Sequence, residues 1–435
     1  MNHKWKEEEL RVFADLHIHS RFSRATSKKM DIDGIARFAE IKGLNVVGTG
    51  DFTHPEWLKE LQRDLDEMPN TGLFRSAKAT SQTCFMITGE VSTIFTFGGE
   101  TKKIHHLILT PSFETAVQIN DRLACYSDLS LDGRPTLEMS ASHLVEEVMA
   151  VSPWNEVIPA HAWTPWFSLF GAFSGFDRME DCYQDMTKNI HALETGLSSD
   201  PPMNWRLSAL DKFTLVSNSD SHSYWPWRMG REANVFNLGT LAYNEVVDAV
   251  RSKDTERFEF TIETNPAYGK YHWTGHRNCG VSMPPHEAIK FNNICPVCRR
   301  QLTKGVEQRI EELADRPADF KPSHVAGYMH LLPLSEIIAV VLNVSSPSLE
   351  NVWQIYNNLI ARFGSEYAVL INASMEEIAK VSDLKIAEAI VRVREEKARV
   401  TPGYDGVYGQ LVLFEEEKAE KRIGKVPQRS LTEWV

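Results

Sequence analysis

Cysteine is scarce, with six in 435 residues. That is too few to staple a chain of this size, so a disulfide scaffold is excluded. Two of the six stand as Cys295-x-x-Cys298, which reads as metal binding in a reducing, cytoplasmic setting. No apolar run approaches membrane-spanning length, and no membrane partner is expected. The opening segment MNHKWKEEELRVF is charged and lacks an apolar centre, so no signal peptide is expected. Positive charge is also in deficit: a formal net charge of −12 argues against binding nucleic acid through bulk charge, though it leaves room for a local patch. No Walker motif or G-x-S-x-G elbow is present, and Cys84, Cys125 and Cys182 lack the pattern of a nucleophile.

What is present is an alternation. RVFADLHI, LNVVGTG, CFMITGE, KIHHLILT, NEVIPAHA, HALETG and TLVSNSD read as buried strands. Between them lie amphipathic segments such as DIDGIARFAEIKG, in which Ile32, Ile35, Ala36 and Ala39 form a helical stripe. Strands alternating with helices imply an α/β unit with a parallel sheet or barrel, assigned to residues 1–260. Residues 261–320 change character. Between 270 and 310, seven lysines and arginines face two glutamates, a local balance of +5. His276-x2-Cys279 is followed after 15 residues by Cys295-x2-Cys298, a zinc-ribbon spacing with one Cys replaced by His. His272 or His286 is an alternative fourth ligand. Residues 321–415 read as helical, with a helix-hairpin-helix rhythm in SMEEIAKVSDLKIAEAIVRVRE that lacks the hairpin glycines, then TPGYDGVYG and a strand QLVLF. In the charged tail, 416–435, Gln428, Leu431 and Trp434 have the one-turn spacing of a peptide that docks on a sliding clamp.

The seven strands share a property. Each finishes with His, Asp or Glu: His17 with His19, Asp51, Glu90, His106, Glu194, and Asp220 with His222, and His161 completes the set. In a barrel of parallel strands the C-terminal ends converge on one face, so these side chains would ring a common mouth. Mixed imidazole and carboxylate ligation suits zinc, manganese or iron. A single His or acid at a strand end usually caps the next helix or sits satisfied in the core, and His54 and His105 fit that description.

DLHIHS, GTGDFTHP, GEVS, HHL, PAH and SDSH, in that order, resemble the successive motifs of the PHP (polymerase and histidinol phosphatase) phosphoesterases. The resemblance implies a distorted (β/α)7 barrel, which the residue patterns above follow with a small zinc-binding module and a C-terminal helical domain. It implies two or three divalent metals at the barrel mouth, zinc with manganese or magnesium as alternatives; the ribbon spacing adds one structural zinc. His17, His19, Glu90 and Asp220 would hold one ion. Glu90 would bridge to a second ion on His106 and His161, and Asp51 with His222 would supply a third; His54 and Glu194 are further candidates. The chain departs from the common pattern at Thr49-Gly50-Asp51, where many members have Thr-Asp-His, and at Arg21 and Arg24, where a further histidine often follows the first motif.

Taken with TGHRNC…ICPVCRRQLTKGV, PGYDGVYG, ETGLSSDPPMNWRLSALD and MGREANVF, the barrel motifs resemble the endonuclease Q family over most of the chain. That implies hydrolysis of DNA 5′ to deaminated bases (uracil, hypoxanthine, xanthine) and abasic sites, leaving 3′-hydroxyl and 5′-phosphate ends. The catalytic set would be His17, His19, Glu90, His161, Asp220 and Arg231, in a protein associated with the nucleoid. Reading a damaged base requires an unstacked nucleotide, and Trp163, Trp166, Phe167, Phe170 and Phe173, directly after His161, are candidates to stack on it or to form core. A histidinol-phosphatase-like enzyme would use the same barrel but has no use for a basic zinc module. A non-catalytic zinc-containing nucleic-acid binder is opposed by the nearly complete ligand set.

Overall fold

The computed structural model describes residues 10–414; the clamp-docking pattern at Gln428, Leu431 and Trp434 lies outside them. All seven expected runs are strands: β1 (Leu10–Asp15), β2 (Val46–Gly48), β3 (Cys84–Phe97), β4 (Glu100–Thr110), β5 (Glu156–Pro159), β6 (Ala192–Glu194) and β7 (Thr214–Val216). Strands β1, β2 and β3 pair in parallel, as do β6 and β7. Ala162 N–H donates to the Glu194 carbonyl at 3.0 Å, linking the end of β5 to β6, and a bridge from Ile18 to Ser221 links β7 to β1. Two further strands, β8 (Ala233–Leu238) and β9 (Phe258–Glu263), extend the sheet antiparallel beyond β1.

The expected parallel order fails at β4, which runs antiparallel to both β3 and β5. Instead of stopping at Glu90, β3 continues to Phe97 and turns back through Gly98 and Gly99, with φ of 59° and 84°. Positive φ at both turn positions suits the two-residue hairpin that connects antiparallel strands, so no helical crossover intervenes. Alternation along the strands divides the apolar side chains. Ala14, Val46, Met86, Leu107 and Val216 join a cluster with Val246, Val247 and Val250 of the helix Tyr243–Ser252, while Val47, Ile87, Ile104, Ile108 and Val157 join a larger one that includes Ile35, Ala39, Leu144 and Val148.

Helix α1 (Ile32–Lys42) shows how locally the fold is written. Asp31 caps it by accepting from Gly34 N–H at 2.8 Å, and Gly43 ends it in the left-handed region. Its inward stripe is the expected Ile32, Ile35, Ala36 and Ala39, with Lys42 buried at the end.

Residues 321–415 are less purely helical than expected. Gly327–His330 adds a strand parallel to β9 before the helices Leu334–Val341, Glu350–Phe363, Met375–Ala379 and Leu384–Arg394. PGYDGVYG lies between two short paired strands, Arg399–Thr401 and Gln410–Val412. That hairpin docks on the start of the basic segment: Trp273 N–H donates to the Gly403 carbonyl at 3.0 Å, and Gly406 N–H to that of Lys270 at 2.8 Å. Among the described residues, no helix is long and apolar enough to cross a membrane.

The helical end is pinned to α1 by a buried ion pair. Lys42 Nζ donates to Glu366 at 2.7 Å and to the Pro226 carbonyl at 2.8 Å, and Glu366 also accepts from Tyr356 OH and Leu334 N–H. Both charged side chains are at most 1% exposed. Removing one partner strands the other charge in the interior, so Lys42→Met lowers stability by about 3–5 kcal/mol. Urea unfolding at constant m-value measures it, and adding Glu366→Gln recovers most of the loss. A wild-type midpoint for Lys42→Met would show the pair to be idle.

Candidate metal centre

β1 and β7 deliver the first group. His17 and His19 follow β1, Asp220 follows β7, and Glu90 lies within β3; one ligand atom from each lies within 4.8 Å of the others. His19 Nε2 is 3.0 Å from Asp220 Oδ1 and 3.3 Å from Glu90 Oε2, and His17 Nε2 is 3.8 Å from both carboxylates. His17 Nε2 is buried without a hydrogen-bond partner. A buried, unsatisfied ring nitrogen is costly unless something fills the gap it faces, and a cation between two imidazoles and two carboxylates would.

Asp51 and Glu194, expected as ligands, sit one layer back. Asp51 Oδ1 accepts from His19 Nδ1 at 2.9 Å, and its other oxygen takes the N–H and hydroxyl of Ser20, both at 2.7 Å. Glu194 accepts from His17 Nδ1 at 3.0 Å, from Asn218 at 2.9 Å and from His161 N–H at 2.7 Å. A carboxylate on the rear nitrogen fixes the tautomer and aims Nε2 at the centre. Burial alone would lower the His17 and His19 pKa values, but Glu194 and Glu90 raise that of His17, and Asp51, Asp220 and Glu90 that of His19, well above the ordinary histidine value. Such a surplus of negative charge around buried imidazoles fits a cation site.

The second group is Glu90, His105 and His161. His105 Nδ1 and His161 Nε2 stand 2.8 Å and 3.1 Å from Glu90 Oε1, and 3.2 Å from each other. Here the structure corrects the expectation of His106. That ring turns away, with Nε2 against Thr93 Oγ1 at 2.9 Å and Nδ1 against Tyr183 OH at 3.0 Å, and burial pushes its pKa down to about 3. Register explains it: Ser92 pairs with His105 and Val91 with His106, so His105 shares the face of Glu90 and Ser92.

The expected third ion has no comparable group among the described residues. His222 packs on His19 with ring centroids 4.4 Å apart and bonds the carbonyl of Asp220, while Asp51 is spent on His19 and Ser20. His54 is a helix cap, facing Trp57 N–H and the Ser130 carbonyl. Arg231 donates to the Ser219 carbonyl at 3.1 Å, beside Asp220 rather than in the group. Asp51, His161 and Asp220 have φ of 50°, 31° and 47°. Non-glycine residues held there store strain of the kind that collects at functional sites.

The aromatic candidates separate. Trp163 and Phe170 are each 1% exposed, and Trp163 Nε1 is bonded to Asn204, so they are core and not a base platform. Trp166 and Phe173 are 43% and 49% exposed and stack on each other at 5.0 Å. Phe167 packs against His105, 4.9 Å between ring centroids.

Apart from this centre, His276, Cys279, Cys295 and Cys298 bring one ligand atom each within 4.8 Å of the others. A short hairpin (Thr274–His276 with Val281–Met283) and a turn at 295–300 hold them. His272 pairs with Glu307 at 3.5 Å and His286 with Glu287 at 3.9 Å, so neither alternative joins. Arg134 was missed by sequence reasoning: its Nη1 donates to Glu90 Oε2 at 3.0 Å. No metal-ligand signal marks an arginine, and its stretch LDGRPT reads as a loop.

Residues 333–397 match the family model described as the MJ0043 C-terminal domain. The uncharacterised protein MJ0043 of Methanocaldococcus jannaschii is 32% identical over 267 residues, 60% of this chain and 32% of that protein, so the chain spans about a third of its length. The uncharacterised protein YqxK of Bacillus subtilis is 28% identical over 411 residues, 92% of this chain and 99% of YqxK. The crystal structure of the lesion-specific endonuclease PfuEndoQ from Pyrococcus furiosus matches with a TM-score of 0.83 and 34% identity, over 95% of this chain and 98% of that one. A complex of endonuclease Q with a 27-mer duplex substrate carrying an abasic lesion at its active site gives the same score and identity, over 94% and 98%. With identity at that level across almost the whole of both chains, this protein belongs to the endonuclease Q family.

Proposed function

We propose that this chain is a DNA repair enzyme that incises the backbone on the 5′ side of deaminated bases and abasic sites by metal-assisted hydrolysis. The observation that carries the reading is the match to an endonuclease Q whose active site holds an abasic lesion, over a fold that gathers two His/carboxylate groups sharing Glu90. The ring of β1 to β7 is read as a distorted (β/α)7 barrel whose mouth holds these groups. His17, His19, Glu90 and Asp220 would hold one divalent ion, and Glu90, His105 and His161 a second. Divalent ions bound there supply a water of lowered pKa and neutralise phosphate charge. Asp51 and Glu194 keep the His19 and His17 rings turned inward, and Trp166, Phe167 and Phe173 form the surface on which an unstacked base would rest.

Labelled duplexes carrying uracil, hypoxanthine, an abasic site or no lesion test the reading. The expected result is cleavage 5′ to each lesion with 3′-hydroxyl ends, and equal cleavage of the undamaged duplex would sink it.

The basic segment, 261–320, is read as a zinc module that grips the duplex. Cys295 is already biased towards thiolate. Burial works against ionisation, but the N–H groups of Val297 and Cys298 and the His276 ring lower its pKa to about 6. The module's own core is slight, chiefly Met283, Ala288 and Leu302, so its fold depends on the ion. Cys295→Ser with Cys298→Ser should release about one zinc per chain and weaken DNA binding with a shallower salt dependence. Unchanged zinc content by elemental analysis would dismiss the module.

A further inference from the structure

Arg134 lies in a turn built to hold it still. Its N–H donates to Asp132 Oδ1 at 3.1 Å, and Asp132 also pairs with Arg24 at 3.1 Å. Gly133 N–H donates to the Phe22 carbonyl at 3.0 Å, and the Gly133 carbonyl accepts from Thr53 Oγ1 at 3.2 Å. A side chain at 133 would meet Asp51 Oδ2 at 2.4 Å and Ser23 Oγ at 2.5 Å, so only glycine lets the turn press this close to the centre. After Arg134 the chain is fixed again, since the Pro135 carbonyl accepts from Ser92 N–H at 2.9 Å. The guanidinium is thus delivered to Glu90 Oε2 from a backbone anchored on both sides.

Glu90 is an odd partner for it. The same carboxylate belongs to both His/carboxylate groups and already has four imidazoles around its oxygens, those of His17, His19, His105 and His161. Cations held by those groups would compete with Arg134 for Glu90, leaving a fixed guanidinium beside the centre. Its side chain is 26% exposed, so it can be reached from solvent. A planar guanidinium presents paired donors that match the oxygens of a phosphate. We propose that Arg134 is a catalytic residue that binds a non-bridging oxygen of the scissile phosphodiester and stabilises the charge that builds there. This rests on the two groups being the hydrolytic centre, as read above.

The experiment compares wild type, Arg134→Ala and Arg134→Lys, each loaded with metal. Inorganic phosphate is titrated in by calorimetry, metal content is measured, and single-turnover rates are followed on an abasic duplex and on bis(p-nitrophenyl) phosphate. Losing one donor to a developing oxyanion lowers such rates by about 10²–10³. Arg134→Ala should show that loss on whichever substrate the wild type cleaves, bind phosphate at least about tenfold more weakly, and keep its metal; lysine should restore part of both. Unchanged phosphate affinity overturns the proposal. So does a loss of rate that follows a loss of metal and is repaired by added metal, because Arg134 would then only shape Glu90. A wild type that hydrolyses the small diester but no lesion duplex refutes the lesion reading and leaves Arg134 to be judged on the diester and on phosphate.

Discussion

Asp220→Asn loses incision by a factor of about 10³ or more and keeps its fold. Asparagine is the informative replacement because position 220 has φ of 47°. Aspartate and asparagine tolerate that region, whereas alanine would add a backbone penalty and blur the result. Shape is retained too, so the change isolates the charge. Burial opposes ionisation of Asp220, but the hydrogen bond from His19 and the charges of His222, His17 and His19 hold its pKa well below the usual carboxylate range. It is therefore anionic at any working pH, and the amide is a far weaker cation ligand. Removing several kcal/mol of charge stabilisation from phosphoryl transfer, at about 1.4 kcal/mol per tenfold, gives the stated factor. Single-turnover cleavage in metal-depleted buffer with added Mn²⁺ measures it, with a thermal melt to check folding. A rate within tenfold of wild type would remove Asp220 from the centre.

Much of this centre was legible because strand ends in an α/β sheet converge. His17, His19, Glu90, His161 and Asp220 were placed together from their positions along the chain, and they do meet. What stayed hidden depended on direction rather than position. A sequence shows that Asp51 and Glu194 stand at strand ends, yet not that each turns to the rear nitrogen of a histidine, since ligand and orienting acid have the same residue type and spacing. His276, Cys279, Cys295 and Cys298 come together as their spacing suggested, because that spacing is a local rule set by two short turns. The β3–β4 hairpin was missed because the run CFMITGE ends persuasively at Glu90, while the turn signal Gly98-Gly99 lies eight residues further on. Trp163 and Phe170 went unseparated from Trp166 because an irregular loop has no period from which burial can be read.

The adjacent histidines of β4 turn that distinction of direction into a measurement. His105→Ala should lower the single-turnover rate by about 10²-fold or more with a small change in melting temperature, because it removes a ring 2.8 Å from Glu90 at the solvent-reached centre. His106→Ala should do the reverse. That ring is fully buried and made neutral by burial, with both nitrogens engaged. Its removal leaves Tyr183 OH without its partner and Thr93 Oγ1 with only the Ile104 carbonyl, and opens a cavity beside Ile104 and Ile108. An unsatisfied buried hydroxyl costs about 1–3 kcal/mol, so a loss of about 2–5 kcal/mol is expected with activity within about tenfold at temperatures where the variant is folded. The motif HHL cannot separate the two, since either histidine satisfies it. Only the register does, through Ser92 opposite His105. If His106→Ala abolished cleavage while unfolding like wild type, and His105→Ala cleaved normally, β4 would face the other way and the second group would have to be rebuilt around His106.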